Sequence, residues 1–262
     1  MNVSAATSVP VLEMRGVAVG ALRDPDAVMI SDVNWSVNRG EFWVVGGLQG
    51  SGKTDLALLA AGLMPPLSGT YRFNNEPMPM FDENRLAERL KLGLVFDGGQ
   101  LLNHLTVSEN IALPLRYHRD LSPAESRDEV RRLLDLMDLS AFADNTPGAI
   151  GRTWQQRVGL ARTLILRPEV VIMDNPLGGL DLRHRSWWLN FLGELAAGPA
   201  WYGSTPMTLL VTTDDLRIWR NRGHQFAIIK DKRLEVLGAW SEVERSMDQQ
   251  VREFMTSAQH SV

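Results

Sequence analysis

Eight consecutive residues, Gly47-Leu48-Gln49-Gly50-Ser51-Gly52-Lys53-Thr54, fit the spacing G-x-x-x-x-G-K-[ST], and each specified residue type in that pattern has a part in holding phosphate. Glycines let the backbone curl until its N–H groups point at phosphate oxygens. The amino end of a following helix adds the positive end of its dipole. In such a loop Lys53 reaches the β- and γ-phosphates and the Thr54 hydroxyl ligates Mg²⁺. The chain has only four lysines, Lys53, Lys91, Lys230 and Lys232, so Lys53 is not drawn from a lysine-rich surface. Farther on, Val170-Val171-Ile172-Met173-Asp174 is an apolar run ending in a carboxylate. A strand of this kind would bring Asp174 to the phosphate end of a sheet, where it can share the cation.

The elements that must carry these groups follow from hydrophobic spacing. Residues 11–19 and 28–37 alternate as strands around a loop at 23–26, and 41–45 is a short β-rich run that ends in Gly46-Gly47. Residues 53–63 then spell a helix closed by Pro65-Pro66, with strands at 68–73 and 92–96 after it. From about 107 to 166 the chain becomes helix after helix. Residues 123–139 place Val130, Leu133, Leu134 and Met137 at helical spacing, and a second helix places Val158, Ala161, Leu164 and Ile165 on one face. Short apolar strands at 170–173 and 208–211 bracket a helix at 183–195, and the last twenty or so residues from Trp240 spell an amphipathic helix. Strand–helix alternation at both ends with helices between implies a parallel α/β sheet interrupted by a helical subdomain.

Composition sets the outer limits. The 262 residues are 44% hydrophobic and 22% charged, enough to bury a core. A net charge of −4 disfavours nucleic acid as the main partner. With no cysteine, thiolate chemistry and disulfide scaffolds are excluded. The opening MNVSAATSVP has no basic-then-apolar signal pattern. The least polar stretch, 56–64, is far shorter than the ~20 residues a membrane span requires. A cytoplasmic protein is expected, with any spanning part supplied by another chain.

Together with four further segments, the phosphate loop makes residues 11–238 resemble the nucleotide-binding subunit of ATP-binding-cassette (ABC) transporters. Those segments are Gly93-Leu94-Val95-Phe96-Asp97, Leu105-Thr106-Val107-Ser108-Glu109-Asn110, Gln155-Gln156-Arg157-Val158-Gly159-Leu160-Ala161-Arg162 and Asp174-Asn175-Pro176-Leu177-Gly178-Gly179-Leu180-Asp181. The resemblance implies one α/β P-loop domain over 1–262. Its RecA-like parallel core and small antiparallel β subdomain would occupy 11–96 and 168–238, its inserted helical subdomain 97–167 and a helical tail 239–262. It implies ATP and Mg²⁺, with Gly47, Leu48, Gln49, Gly50, Ser51, Gly52, Lys53 and Thr54 on the nucleotide and Thr54 and Asp174 on the metal. It also implies a head-to-tail homodimer or heterodimer, in which ATP lies between one subunit's phosphate loop and the other's signature segment. Gly151, Arg152, Thr153 and the D-loop Asp181 would stand at that interface. The implied partner is a membrane permease, which would hold this subunit on the inner face of the cell membrane. Within the family, Phe96-Asp97-Gly98-Gly99-Gln100-Leu101-Leu102 and Ile111-Ala112-Leu113-Pro114-Leu115-Arg116 look most like ATPases of Mla/MCE-type lipid transporters, which implies a lipid cargo.

Four positions that carry hydrolysis in that family differ here. Asp97 replaces the Q-loop glutamine, Asn175 the Walker B glutamate and Thr213 the switch histidine, while Ile150-Gly151-Arg152-Thr153-Trp154 replaces LSGGQ. An amide orients water but cannot accept its proton, and general-base help is worth ~10²–10⁴-fold. Binding is expected to survive and turnover to be slow. Asp97 is open between a makeshift base or Mg²⁺ ligand and a solvated loop residue, and Asp214 is a second candidate base. Arg152 is open between pairing with a γ-phosphate and facing solvent, where it would obstruct closure. Thr153 and Gln156 have capping-box spacing. No aromatic residue stands near 19–22 to stack on adenine. Leu101, Leu102 and Leu105 are either a dock for a permease helix or core packing. The eight tryptophans are expected to be packing residues and 125–132 a solvated face. Two functions remain: a subunit that energises a transporter with weak intrinsic hydrolysis, or an ATP-binding clamp whose complex hydrolyses elsewhere.

Overall fold

Alternate residues of the central strands lie buried on opposite faces of one sheet, the mark of strands covered on both sides. Phe42 and Val44 pack into one core and Trp43 and Val45 into the other, and the same division runs through Val171 and Met173 against Val170 and Ile172. The computed structural model describes residues 9–78, 82–248 and 251–252. Its order is β1 (Leu12–Ala21), β2 (Asp24–Val37), β3 (Phe42–Gly47), α1 (Lys53–Ala60), β4 (Ser68–Phe73), β5 (Glu76–Pro77), α2 (Leu86–Arg89) and β6 (Leu92–Val95). Then come α3 (Val107–His118), α4 (Pro123–Leu136), α5 (Arg152–Leu164), β7 (Val170–Met173), α6 (Leu182–Ala197), β8 (Thr208–Thr213), β9 (Gln225–Lys230), β10 (Arg233–Gly238) and α7 (Trp240–Arg245).

A six-stranded sheet runs β10-β9-β3-β8-β7-β6, parallel except for the β9–β10 edge pair. A four-stranded antiparallel sheet runs β2-β1-β4-β5. The helices α3, α4 and α5 lie in the chain between β6 and β7, as the helical spacing implies. Capping boxes start two of them, Thr106 with Glu109 on α3 and Ser122 with Glu125 on α4. Trp188 and Trp219 are fully buried, Trp35 and Trp43 nearly so, and Trp154, Trp187, Trp201 and Trp240 pack against the core, so the tryptophans are packing residues.

Four local expectations are corrected. The loop placed at 23–26 shrinks to a two-residue connection, because Ala21 already pairs with Asp24 and the ladder continues from there. Helix α1 stops at Ala60, ahead of the prolines. Gly62 takes φ 65 and the Leu63 N–H donates to the Leu58 carbonyl at 2.9 Å, which closes the helix end. The Thr153–Gln156 capping box does not form. Gly151 is the N-cap, Arg152 is already helical, and no side chain caps the end. The expected C-terminal helix is interrupted: Trp240–Arg245 is helical, Ser246 leaves helical geometry and residues 251–252 are helical again, while residues 249–250 and 253–262 lie outside the described set, as do residues 1–8.

Candidate functional site

The loop that follows β3 leaves the carboxyl edge of the parallel sheet, the place where open α/β sheets receive ligands. It can curl tightly because Gly47 has no side chain: a Cβ there would fall 2.3 Å from Ser51 Oγ. Gly52, at φ 99, turns the chain into α1 in a conformation that L side chains rarely adopt. Lys53 folds back under the loop. Its ammonium donates to the Gly47 and Leu48 carbonyls at 2.7 and 2.8 Å and pairs with Asp214 at 2.8 Å, and its side chain is only 10% exposed.

Beside it the strand ends meet. The Thr54 hydroxyl donates to one oxygen of Asp174 at 2.7 Å, and the Thr212 hydroxyl donates to the other at 2.7 Å. Thr212 in turn accepts the Asn175 N–H at 2.9 Å. Asp174 is 8% exposed, so its position at the end of β7 is held from both sides. Asn175 sits at φ 45, a left-handed conformation that asparagine tolerates better than most residues, and its amide lies 3.4 Å from Asp214.

Gly47, Leu48, Gln49, Gly50, Gly52, Lys53, Thr54, Asp97, Asp174 and Asn175, together with Met29, Asp55 and Asp214, line one cleft of about 640 Å³. Ser51 does not line this cleft; its hydroxyl is buried beside Gly47 without a partner. A narrow glycine cradle with a donor to spare and a buried ammonium fits a phosphate chain. The hydroxyl of Thr54 and the carboxylate of Asp174 are hard oxygen donors of the kind Mg²⁺ takes.

Thr213 turns away from this cleft. Its buried hydroxyl bonds the backbone of Asp215 at 3.1 Å, and its neighbour Asp214 faces Lys53 instead. Gly151, Thr153 and Asp181 do not line the cleft; Asp181 caps α6 by accepting the His184 N–H at 3.0 Å. That backbone hydrogen bond is the main reason its carboxyl is held below the usual carboxylate range. Arg152 reaches back to Asp97 in an ion pair of 2.8 Å. Deeper in α5, the Arg157 guanidinium lies over the rings of Trp187 and Trp154, 3.7 and 4.6 Å from their centroids, and joins α5 to α6. Burial lowers its pKa, and Asp138 at 3.0 Å partly offsets that.

Met29 and Asp55 had no local signal. Met29 reaches the cleft from β2 through the packing of one sheet against the other. Asp55 accepts the Leu22 N–H at 2.9 Å, which ties the β1–β2 connection to the first turn of α1. Leu101 packs against the core, whereas Leu102 is exposed. A separate groove of about 510 Å³ runs between α3 and α4. Ala112, Val130, Leu134 and Ala143 are among its apolar lining, and Arg116, Arg127, Arg131, Glu109 and Asp135 are among its polar residues.

The family profile described as ABC transporter matches residues 30–178. The spermidine/putrescine import ATP-binding protein PotA of Trichodesmium erythraeum is 32% identical over 214 residues, 82% of this chain and 53% of that protein. The Fe(3+) ions import ATP-binding protein FbpC of Fusobacterium nucleatum subsp. nucleatum is 30% identical over 213 residues, 81% of this chain and 54% of that protein. The chain thus spans about half the length of the curated relatives it matches. Among solved structures, the dimeric post-hydrolysis state of the ATP-binding cassette MJ0796 bound to ADP and Pi superposes with TM-score 0.75 at 27% identity, covering 86% of this chain and 98% of that one. With the profile spanning more than half of the sequence and the cassette fold reproduced around a phosphate loop, the chain belongs to the ABC transporter family.

Proposed function

We propose that this chain is the ATP-binding subunit of an ABC transporter, that it holds Mg-ATP in the cleft at the end of β3, and that it energises a separate permease while hydrolysing ATP slowly. The observation that carries the reading is the buried Lys53 ammonium under a loop too tight for any residue but glycine at position 47, beside the Thr54–Asp174 pair. Lys53 would turn from its loop carbonyls to β- and γ-phosphate oxygens while staying beside Asp214, and Thr54 and Asp174 would hold Mg²⁺. Bound there, the cation would neutralise phosphate charge.

Slow turnover follows from the groups that face the reacting end. Asn175 presents an amide, which takes up no proton. The Asp214 carboxylate, 3.4 Å from that amide, is paired with Lys53 at 2.8 Å. Thr213, at the family's histidine position, is buried against Asp215. The same three facts support the second reading, an ATP-filled clamp in a complex that hydrolyses elsewhere.

Partner surfaces fit this role. Leu48 on the phosphate loop is 66% exposed and Leu182 beside Asp181 is 80% exposed, both on segments that pair subunits in this family. The α3–α4 groove has an apolar floor and an arginine-rich rim. Its acids are already engaged, Glu109 by Thr106 and Asp135 by Ser140, which suits an acidic amphipathic helix of a permease. No described helix is long and apolar enough to cross a membrane, so a permease would hold this chain at the inner face of the cell membrane. The lipid cargo rests on residues 96–102 and 111–116. The relatives named for spermidine/putrescine and Fe(3+) import support a small-solute cargo as the competing class. Lipid or solute carried by the co-purified permease separates the two.

Calorimetric titration is the test of the core reading. Mg-ATP binds the unaltered chain, Lys53→Ala abolishes binding, and turnover is at least ~100-fold below that of a glutamate-bearing relative. Turnover on the order of 1 s⁻¹ that is lost in Lys53→Ala overturns the slow-hydrolysis reading. Absence of binding overturns the whole.

A further inference from the structure

Two departures from the family pattern are complementary in charge and touch each other. Asp97 stands at the end of the β6 segment and Arg152 in the first turn of α5, and their charged groups meet at 2.8 Å. The local backbone is built to bring them together. Gly98 takes φ 70, a left-handed conformation that favours glycine, with the Arg152 guanidinium beside it. Gly99 packs so closely on α5 that a Cβ would fall 2.3 Å from the Gln155 carbonyl oxygen. Arg162 then donates to the Gly99 and Gln100 carbonyls at 2.8 and 3.1 Å. The loop that carries Asp97 is therefore clamped to the helix that carries Arg152.

The electrostatics of the cleft give this pair a task. Lys53 is the one cation among the described lining residues, against the carboxylates of Asp55, Asp97, Asp174 and Asp214. Asp214 is balanced by Lys53, and Asp174 is held by two hydroxyls. Asp97 stands with Asn175 and Asp214 at the strand ends, where a lysine of this kind directs the terminal phosphate. Without a counter-ion Asp97 would repel the end of a triphosphate, and a diphosphate, one group shorter, would feel it less. Arg152 is 68% exposed and does not line the cleft, so its reach to the phosphate chain runs through Asp97.

We propose that Arg152 is a specificity-determining counter-ion: by neutralising Asp97 from within the same chain, it makes the cleft prefer a nucleoside triphosphate to the diphosphate. This rests on the nucleotide reading of the cleft. Arg152 acts as a positioning residue through Asp97 and makes no phosphate contact of its own.

The test is a double-mutant cycle, with Mg-ATP and Mg-ADP titrated into the full chain at low and high salt. Arg152→Gln weakens Mg-ATP roughly five-fold at low salt, as one uncompensated charge at several ångströms in a solvent-lined cleft implies, and leaves Mg-ADP within two-fold. Adding Asp97→Asn to Arg152→Gln restores the Mg-ATP affinity, and high salt shrinks the single-mutant loss. A double mutant that stays weak means Arg152 touches phosphate directly and overturns the proposal. Equal losses for both nucleotides, or no loss in Arg152→Gln, overturn it as well. If the unaltered chain binds neither nucleotide, the reading beneath it falls too, and the two failures are told apart.

Discussion

At the residue scale, the groups proposed to hold a triphosphate are distinct from those at the positions proposed to cleave it. The holding groups are all anchored: Lys53 by two carbonyls and Asp214, Asp174 by two threonine hydroxyls, and Gly47 by the absence of room. At the positions proposed for cleaving, this chain carries Asn175 and Thr213, neither of which is a base. Asn175, where the family resemblance puts a glutamate, has its N–H on Thr212 and carries an amide, which takes up no proton. Asn175→Glu is expected to raise turnover by less than about ten-fold, well short of general-base magnitudes, because Thr213 still faces Asp215 and the signature segment is unchanged. Single-turnover hydrolysis of labelled ATP measures it, and a recovery of several hundred-fold would show that the glutamate was the only defect. Losses acting on one step are not additive, so the single mutant and not the sum is the informative measurement.

At the element scale, the helices between β6 and β7 owe their starts to side chains that a reader of the sequence can identify. Thr106 and Glu109 exchange bonds at the head of α3, and Ser122 and Glu125 do the same at α4, where Pro123 adds a preset φ. Backbone and side-chain hydrogen bonds from Thr106 hold the Glu109 carboxyl below its ordinary value of 4.5; side-chain and then backbone bonds from Ser122 do the same for Glu125. A depressed carboxyl pKa contributes stability that is fully present above the ordinary value and is lost as pH falls through the folded value. Thermal melts followed by circular dichroism should therefore lose stability below about pH 4.5. Part of that acid-sensitive component should disappear in Glu125→Gln. Ser122→Ala should cost about 1 kcal/mol at neutral pH. An unchanged acid limb in Glu125→Gln would assign the sensitivity to other carboxylates.

At the scale of the whole molecule, two hydrophobic cores share the six-stranded sheet, and the cleft opens at the edge where both end. One core carries the antiparallel sheet and α1, the other the helices from α3 to α6. Tyr71 of β4 donates its buried hydroxyl to the Ala60 carbonyl at the end of α1 at 2.5 Å, so the second sheet braces the helix that holds Lys53 and Thr54. Ligand that binds only the folded chain must then stabilise the entire unit. Mg-ATP at about 100 times its Kd adds about 2.7 kcal/mol, seen as a rise of several degrees in Tm that Lys53→Ala removes. A rise that persists in Lys53→Ala would place the nucleotide somewhere other than this cleft.

What the amino-acid sequence determined by itself was local or nearly so: the glycine-rich loop between β3 and α1, the apolar strand ending at Asp174 and the helical spacing after residue 107. Each depends on neighbours a few residues away, and periodicity and turn chemistry report such neighbours directly. Element ends were less legible. The close of α1 at Gly62 and the start of α5 at Gly151 depend on backbone bonds that a competing proline or threonine signal concealed. The tertiary structure alone decided which groups share the cleft. Met29 comes from the other sheet, Asp214 and not Thr213 faces Lys53, and Arg152 meets Asp97 across 55 residues. Those pairings depend on strand order and on the close packing of Gly99 against α5, contacts between segments distant in sequence that no local pattern encodes.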